Sequence, residues 1–277
     1  MAPLNSSIIE NGYWGAPTST LDWCETNYEV SYFIAEFWNT VSNISMIILP
    51  LYGIMECHRH GLERIFTLNY FLLLFTGIGS WMFHMTLMYE MQLLDELPMV
   101  WGASCMLYTL YKTDLPLKSE GNKVGLAIFF YATALTVSYL VIQDPVYYQI
   151  LYGLLISANI ILGVKKNYHI CGETTGIIFF SGLLIYLLGF ALWNVDTLFC
   201  SAITSSRKSR LLKHGVLSIL SPFTQLHGWW HILAGFAGYL QILLCIQHRL
   251  KFLKIKSSLQ PSVFGWTIAV ESKYKVK

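Results

Sequence analysis

The sequence predicts an all-α fold, a bundle of seven transmembrane helices with its N-terminus in the lumen and its C-terminus in the cytosol. Three features point there. Hydrophobic residues make up 55% of the chain against 12% charged, long uncharged runs recur, and Lys and Arg gather on one side. A soluble globule keeps roughly a quarter of its residues charged, so the deficit makes lipid the solvent of this 277-residue chain. In hydrocarbon each backbone N–H and C=O must be satisfied within its own segment, so runs this long form helices and not open strands.

The apolar runs lie at about 33–55, 65–88, 96–112, 124–142, 146–164, 175–194 and 224–246, and crossing ~30 Å of hydrocarbon takes roughly 20 helical residues. The cleanest, Ile65 to Tyr89, contains no Asp, Glu, Lys or Arg. The third is short with a polar start, and the fifth follows Gln143-Asp144-Pro145 so closely that the fourth and fifth must form a tight hairpin. With the N-terminus outside, Arg59 and Arg64, then Lys112, Lys118 and Lys123, then Lys165 and Lys166, and all basic residues of the tail fall on the cytosolic side. Only Arg207, Lys208, Arg210 and Lys213 remain outside, and this positive-inside bias favours an odd number of crossings. No basic segment precedes an apolar core at the N-terminus, so no cleavable signal peptide is expected and the first helix does the targeting.

Three regions follow: a lumenal segment over 1–32 without Lys or Arg, a membrane domain over 33–246, and a basic cytosolic tail over 247–277 suited to an anionic leaflet. The stretch 201–221, rich in Ser, Lys and Arg and ending in Ser221-Pro222, reads as a mobile outer loop. Asn5-Ser6-Ser7 is a glycosylation sequon on the same side. Cys24 and Cys200 fall in the oxidising compartment, where the topology predicts a disulfide between them; spacing alone leaves two unpaired thiols open. Internal repeats and Walker or dinucleotide motifs are not seen, and neither a nucleic-acid nor an obligate protein partner is evident.

Ionisable groups inside a bilayer are expensive and mark function. Here they are Glu36 in the first helix, His84 in the outer half of the second, Asp95 and Glu96 at the start of the third, and His227 and His231 in the seventh. His227-Gly228-Trp229-Trp230-His231 sets two imidazoles at i and i+4 on one helix face. The second helix runs outward and the seventh inward, so His84 reaches the depth of that pair. Three neutral imidazoles with a fourth position open are the pattern of a catalytic Zn2+ site. A lone membrane histidine would more simply bond a neighbouring helix; three at one depth favour the metal.

The stretch between His227 and His231 has no carboxylate, so a general base must come from another helix. Asp95, eleven residues beyond His84, is best placed, although Asp95-Glu96-Leu97-Pro98 also fits a helix N-cap. Ser80, one turn before His84 on the same face, could donate to an oxyanion or simply let helices pack. Glu36 needs a partner, and the preceding segment offers Asp22, Glu25 and Asn27 without a basic residue. Such oxygen donors suit Ca2+, which takes 6–8 oxygens in flexible geometry.

Tyr13-Trp14-Gly15, TSTLDWCETNY from Thr18, AEFWNTVSN from Ala35, GSWMFHMTLMYEMQLLDELPM from Gly79, FALWNVDTLFC from Phe190 and QLHGWWHIL from Gln225 closely resemble the alkaline ceramidases, the type-3 branch most of all. The resemblance covers nearly the whole chain apart from the loop 201–221 and the tail after Ser257. It implies a seven-helix intramembrane zinc amidase of the endoplasmic reticulum and Golgi that cleaves ceramide to sphingosine and a fatty acid. It further implies zinc ligands His84, His227 and His231, active-site residues Ser80 and Asp95, and a calcium site of Asp22, Trp23 through its carbonyl, Glu25, Asn27 and Glu36. The rival class is a seven-helix receptor of the progestin and adipoQ type, which also pairs three membrane histidines with zinc but places its N-terminus in the cytosol.

Overall fold

The computed structural model describes residues 12–116, 122–168, 173–208, 221–263 and 265–270. Helices α1 (Phe37–Ser42) and α2 (Ile44–His60) meet at Asn43 and form one span of 24 residues. There follow α3 (Arg64–Thr86), α4 (Tyr89–Lys112), α5 (Asn122–Ile142), α6 (Pro145–Asn167), α7 (Thr174–Leu198), α8 (Cys200–Lys208) and α9 (Leu226–Phe252). Among the described residues six helices are long and apolar enough to cross a membrane, α1–α2 counting as one. The remaining long helix, α4, matches them in length at 24 residues but carries Glu90, Asp95, Glu96 and Lys112.

That helix corrects the expected third span. It begins at Tyr89 and not at residue 96, so Asp95 lies in its second turn and is not a helix cap. Two of its polar side chains are buried and paired: the Tyr139 hydroxyl donates to Glu96 Oε2 at 2.5 Å and Gln92 Nε2 donates to the same oxygen at 3.2 Å. Gln92 also binds Thr20 of the N-terminal segment, whose backbone N–H donates to its Oε1 at 2.8 Å. Such pairing lets charge sit inside a bundle, and it hides the start of α4 from a reading based on hydropathy.

Helix ends follow local chemistry. Asp144 caps α6, accepting from the backbone N–H of Val146 at 2.7 Å and of Tyr147 at 3.2 Å, with Pro145 at the first helical position. The preceding Gln143 has φ 55°, which turns the chain in the tight α5–α6 hairpin that the sequence implies. At the end of α3, Leu87 adopts φ 52°, and its carbonyl accepts from the N–H groups of Thr18 and Ser19 at 3.1 Å. The backbone of Ala35 donates to Met85 and that of Glu36 to His84, both at 2.9 Å, so the N-terminal segment is laced to the end of α3.

Gly79 lets α3 and α4 touch. A Cβ there would stand 1.9 Å from the Leu94 carbonyl oxygen, which no side chain tolerates. The core gathers around α9, where Tyr239, Leu240, Leu243, Leu244 and Ile246 are all buried against α2, α3 and α7.

Two further expectations change. The loop 201–221 opens as helix α8, and the tail contains a two-stranded antiparallel hairpin, β1 (Ser257–Ser262) and β2 (Gly265–Val270). The hairpin folds back along α9: the Tyr239 hydroxyl donates to the Trp266 carbonyl at 2.7 Å, and Ile268 is 2% exposed. Arg249, expected among the tail cations facing the anionic leaflet, is buried in α9. It donates to Glu63 at 2.5 Å and to the Lys112, Thr113 and Leu115 carbonyls at the end of α4. The sequon at Asn5, the loop lysine Lys118, Cys171 and the remainder of the basic loop lie outside the described residues.

Candidate metal centre

His84 stands in the last turn of α3, and His227 and His231 stand in the first two turns of α9. All three are buried, and one nitrogen of each lies within 4.8 Å of the others. The ring centroids are 4.6–5.0 Å apart.

Their outer nitrogens decide what the inner ones offer. His84 Nδ1 lies 2.5 Å from Glu36 Oε2. His231 Nδ1 faces the Asn39 carbonyl at 3.1 Å and the Ser42 hydroxyl at 2.8 Å. An acceptor at Nδ1 holds the proton there and turns the lone pair of Nε2 inward, which is how metal-binding imidazoles are oriented. His84 Nε2 and His227 Nδ1 are buried without hydrogen-bond partners. Buried polar atoms are normally satisfied, so orphaned nitrogens converging on one spot fit a soft-to-borderline cation with nitrogen ligands. Glu36, Asn39 and Ser42 were not foreseen in this role; their i, i+3, i+6 spacing in AEFWNTVSN was the available signal.

Ser80 lies one turn before His84 and is 1% exposed. Its hydroxyl is bonded to the Asp95 carboxylate, across the close α3–α4 contact that Gly79 permits. Ser80 and Asp95 are therefore paired across that contact, one turn before His84 on α3. The Asp95 carboxylate accepts from that hydroxyl.

The expected calcium residues also draw together above the histidines. Glu25 takes an unforeseen part: its two oxygens accept from the Trp38 N–H at 2.7 Å and the Asn39 N–H at 2.8 Å, capping α1 from a distance. Burial, and then the Glu36 carboxylate, pushes the Glu25 carboxyl up to about 8. Burial likewise raises Asp22, whose oxygen accepts from Asn27. Glu36 Oε1 and Asn27 Oδ1 are buried without partners. A cluster of carboxylates and an amide oxygen with this surplus of acceptors fits a hard divalent cation. Trp23 stacks its indole on His227, centroids 4.0 Å apart and planes at 27°. Its neighbour Cys24 forms a disulfide with Cys200, with Cα atoms 5.2 Å apart.

This arrangement has relatives. The Ceramidase family model matches residues 15–273. The chain belongs to the ceramidase family. It is 40% identical over 256 residues to alkaline ceramidase 3 of Mus musculus, covering 92% of each chain. It is 32% identical to alkaline ceramidase YPC1 of Saccharomyces cerevisiae, covering 95% of this chain and 87% of that one. It is 29% identical to the alkaline ceramidase of Arabidopsis thaliana, covering 83% of each. These relatives are amide-bond hydrolases by name, and the matched region takes in every residue of the histidine centre and of the acidic cluster above it.

Proposed function

We propose that this ceramidase-family chain is a zinc-dependent intramembrane amidase that hydrolyses ceramide to sphingosine and a free fatty acid. The observation that carries the proposal is the set of orphaned imidazole nitrogens beside a hydroxyl–carboxylate pair. When bound, zinc supplies a Lewis acid for an amide carbonyl and acidifies a water molecule.

The chain does the rest. His84, His227 and His231 hold the metal, and Glu36, Asn39 and Ser42 fix the first and third rings. Asp95 removes a proton as water oxygen adds to the acyl carbon; the C–N bond then breaks and Asp95 returns that proton to the leaving sphingoid amine. The Ser80 hydroxyl donates to the oxygen that gains charge in between. An amide carried on two lipid chains explains a reaction centre placed inside an apolar bundle.

The same reading gives α4 as a seventh crossing, with the N-terminus lumenal and the C-terminus cytosolic as the Lys and Arg distribution favours. A membrane of the endoplasmic reticulum or Golgi follows from the family resemblance. Calcium held by Asp22, Glu25, Asn27, Glu36 and the Trp23 carbonyl modulates activity, because Glu36 touches His84 and Glu25 caps α1, whose Asn39 carbonyl contacts the His231 ring. The receptor alternative is not favoured, since the family match runs through nearly the whole chain.

The direct assay incubates purified protein with ceramides of varied acyl chain in detergent or nanodiscs, with and without a zinc chelator. Release of sphingosine and fatty acid that stops on chelation and returns with zinc is the expected result. Hydrolysis that proceeds in metal-free protein, or no hydrolysis of any ceramide, overturns the assignment.

A further inference from the structure

The entrance to α9 is held by a cation that the histidine centre does not itself use. Arg207, near the end of α8, is buried although it carries a full charge. Its guanidinium is engaged on every side. Nη1 donates to the Cys24 carbonyl at 2.8 Å, Nε to the Thr224 hydroxyl at 3.0 Å and Nη2 to the Thr224 carbonyl at 2.6 Å. Nη2 also faces Asp196 Oδ1 at 3.8 Å. Asp196 is 1% exposed near the end of α7, and the backbone N–H groups of Cys24, Leu226 and His227 point at its carboxylate.

The three elements so joined are those that set the position of His227. Thr224 closes the short turn over 221–224 and lies three residues before His227. Cys24 is next to Trp23, whose ring covers the His227 imidazole. The Asp196 carboxylate faces the backbone N–H of His227 itself. Among the described residues no hydrogen bond turns the His227 ring as those to Glu36 and to Asn39 turn His84 and His231. That ring is oriented by stacking and by the backbone around it, so the fixing must be done from outside. A planar fork with several donors does this in a way that a flexible ammonium cannot.

We propose that Arg207, acting with Asp196, is a positioning residue for the His227 arm of the metal centre and sets how tightly the metal is kept. The proposal rests on the zinc reading of the histidine cluster. Loss of supporting hydrogen bonds around a metal typically weakens affinity by about 10–100-fold. Zinc release should rise by a comparable factor when the fork is removed.

The test uses the full-length protein purified in detergent with zinc. Zinc per chain is measured by elemental analysis, and the rate of zinc transfer to an excess of a coloured chelator is followed at one temperature. Wild type is compared with Arg207→Gln, Arg207→Lys and the exposed control Ser205→Ala. Arg207→Gln is expected to lose zinc at least ~10-fold faster, Arg207→Lys to fall between, and Ser205→Ala to match wild type. Cobalt-substituted protein should show a shifted ligand-field spectrum for Arg207→Gln and none for Ser205→Ala, a change that mere loosening of α8 would not cause. Zinc release from Arg207→Gln within twofold of wild type overturns the proposal. If Arg207→Gln does not fold, Arg207→Lys decides: release indistinguishable from wild type overturns it equally. A wild-type chain without stoichiometric zinc sinks the zinc reading, and this proposal with it, whereas zinc-loaded wild type with unaltered Arg207 variants sinks this proposal alone.

Discussion

Helices α9 and α5 cross the same bundle yet face different solvents. In α9, 56% of the most apolar window is buried inside the protein, and in α5 only 17%. The outward positions of α5 are mostly apolar, with Phe130 65% and Val141 77% exposed, as lipid contact demands. On α9 and the neighbouring α1–α3, the buried set includes His227, His231, Glu36, Asn39, Ser42 and His84. Without a strong hydrophobic drive between helices in lipid, small residues and polar contacts hold the inner group together. The buried polar groups therefore gather on the inward faces of these helices, and sensitivity to mutation should divide along the same line.

The sharpest contrast is expected at the ligands. His84→Ala should abolish ceramide hydrolysis together with bound zinc, because two imidazoles on one helix leave the cation without its third nitrogen. Elemental analysis and product release from one preparation check this, and zinc-free protein that still turns over would break the assignment. Next comes Asp95→Asn, which keeps the shape and the Ser80 contact but removes the base. It should lower kcat by about 10²–10⁴-fold while zinc content stays at wild-type level. A pre-steady-state assay at saturating substrate separates that loss from weaker binding.

Two glycines give a middle case. Gly79→Ala drives a methyl group into the Leu94 carbonyl and pushes α3 from α4, separating Ser80 from Asp95. Overpacking of this kind costs about 1–3 kcal/mol, so both melting temperature and turnover should drop. Gly153→Ala on α6 meets nothing within 4 Å and should leave both unchanged. Equal effects of the two substitutions would erase the distinction between inner and outer helices. The smallest effect is expected for Phe130→Ala on the lipid face, with activity and melting close to wild type in nanodiscs.

Much of the bundle was legible because lipid imposes a simple rule on composition. The run from Ile65 to Tyr89 and the turn at Gln143-Asp144-Pro145 announce their helices directly. The histidines at i, i+4 fix one arm of the centre in any helical reading. The start of α4 was hidden since Glu90, Asp95 and Glu96 lower its hydropathy, and only tertiary partners such as Tyr139 make them tolerable. Charge alone groups Glu36 and Glu25 in an acidic cluster and does not show their bonds to His84 and to the start of α1, which link residues 48 and 13 positions apart. The hairpin had a signal in the alternation of Trp266, Ile268 and Val270 after Gly265, masked by the lysines around it. Arg249 likewise looked like a tail cation until the carbonyls at the end of α4 gave it a place.

The most direct test is zinc K-edge absorption on purified wild type, paired with elemental analysis. One zinc per chain is expected in a four-coordinate shell at about 2.0–2.1 Å, carrying the multiple-scattering signature of three imidazoles. Substoichiometric zinc, or a first shell with fewer than three imidazoles, would contradict this expectation.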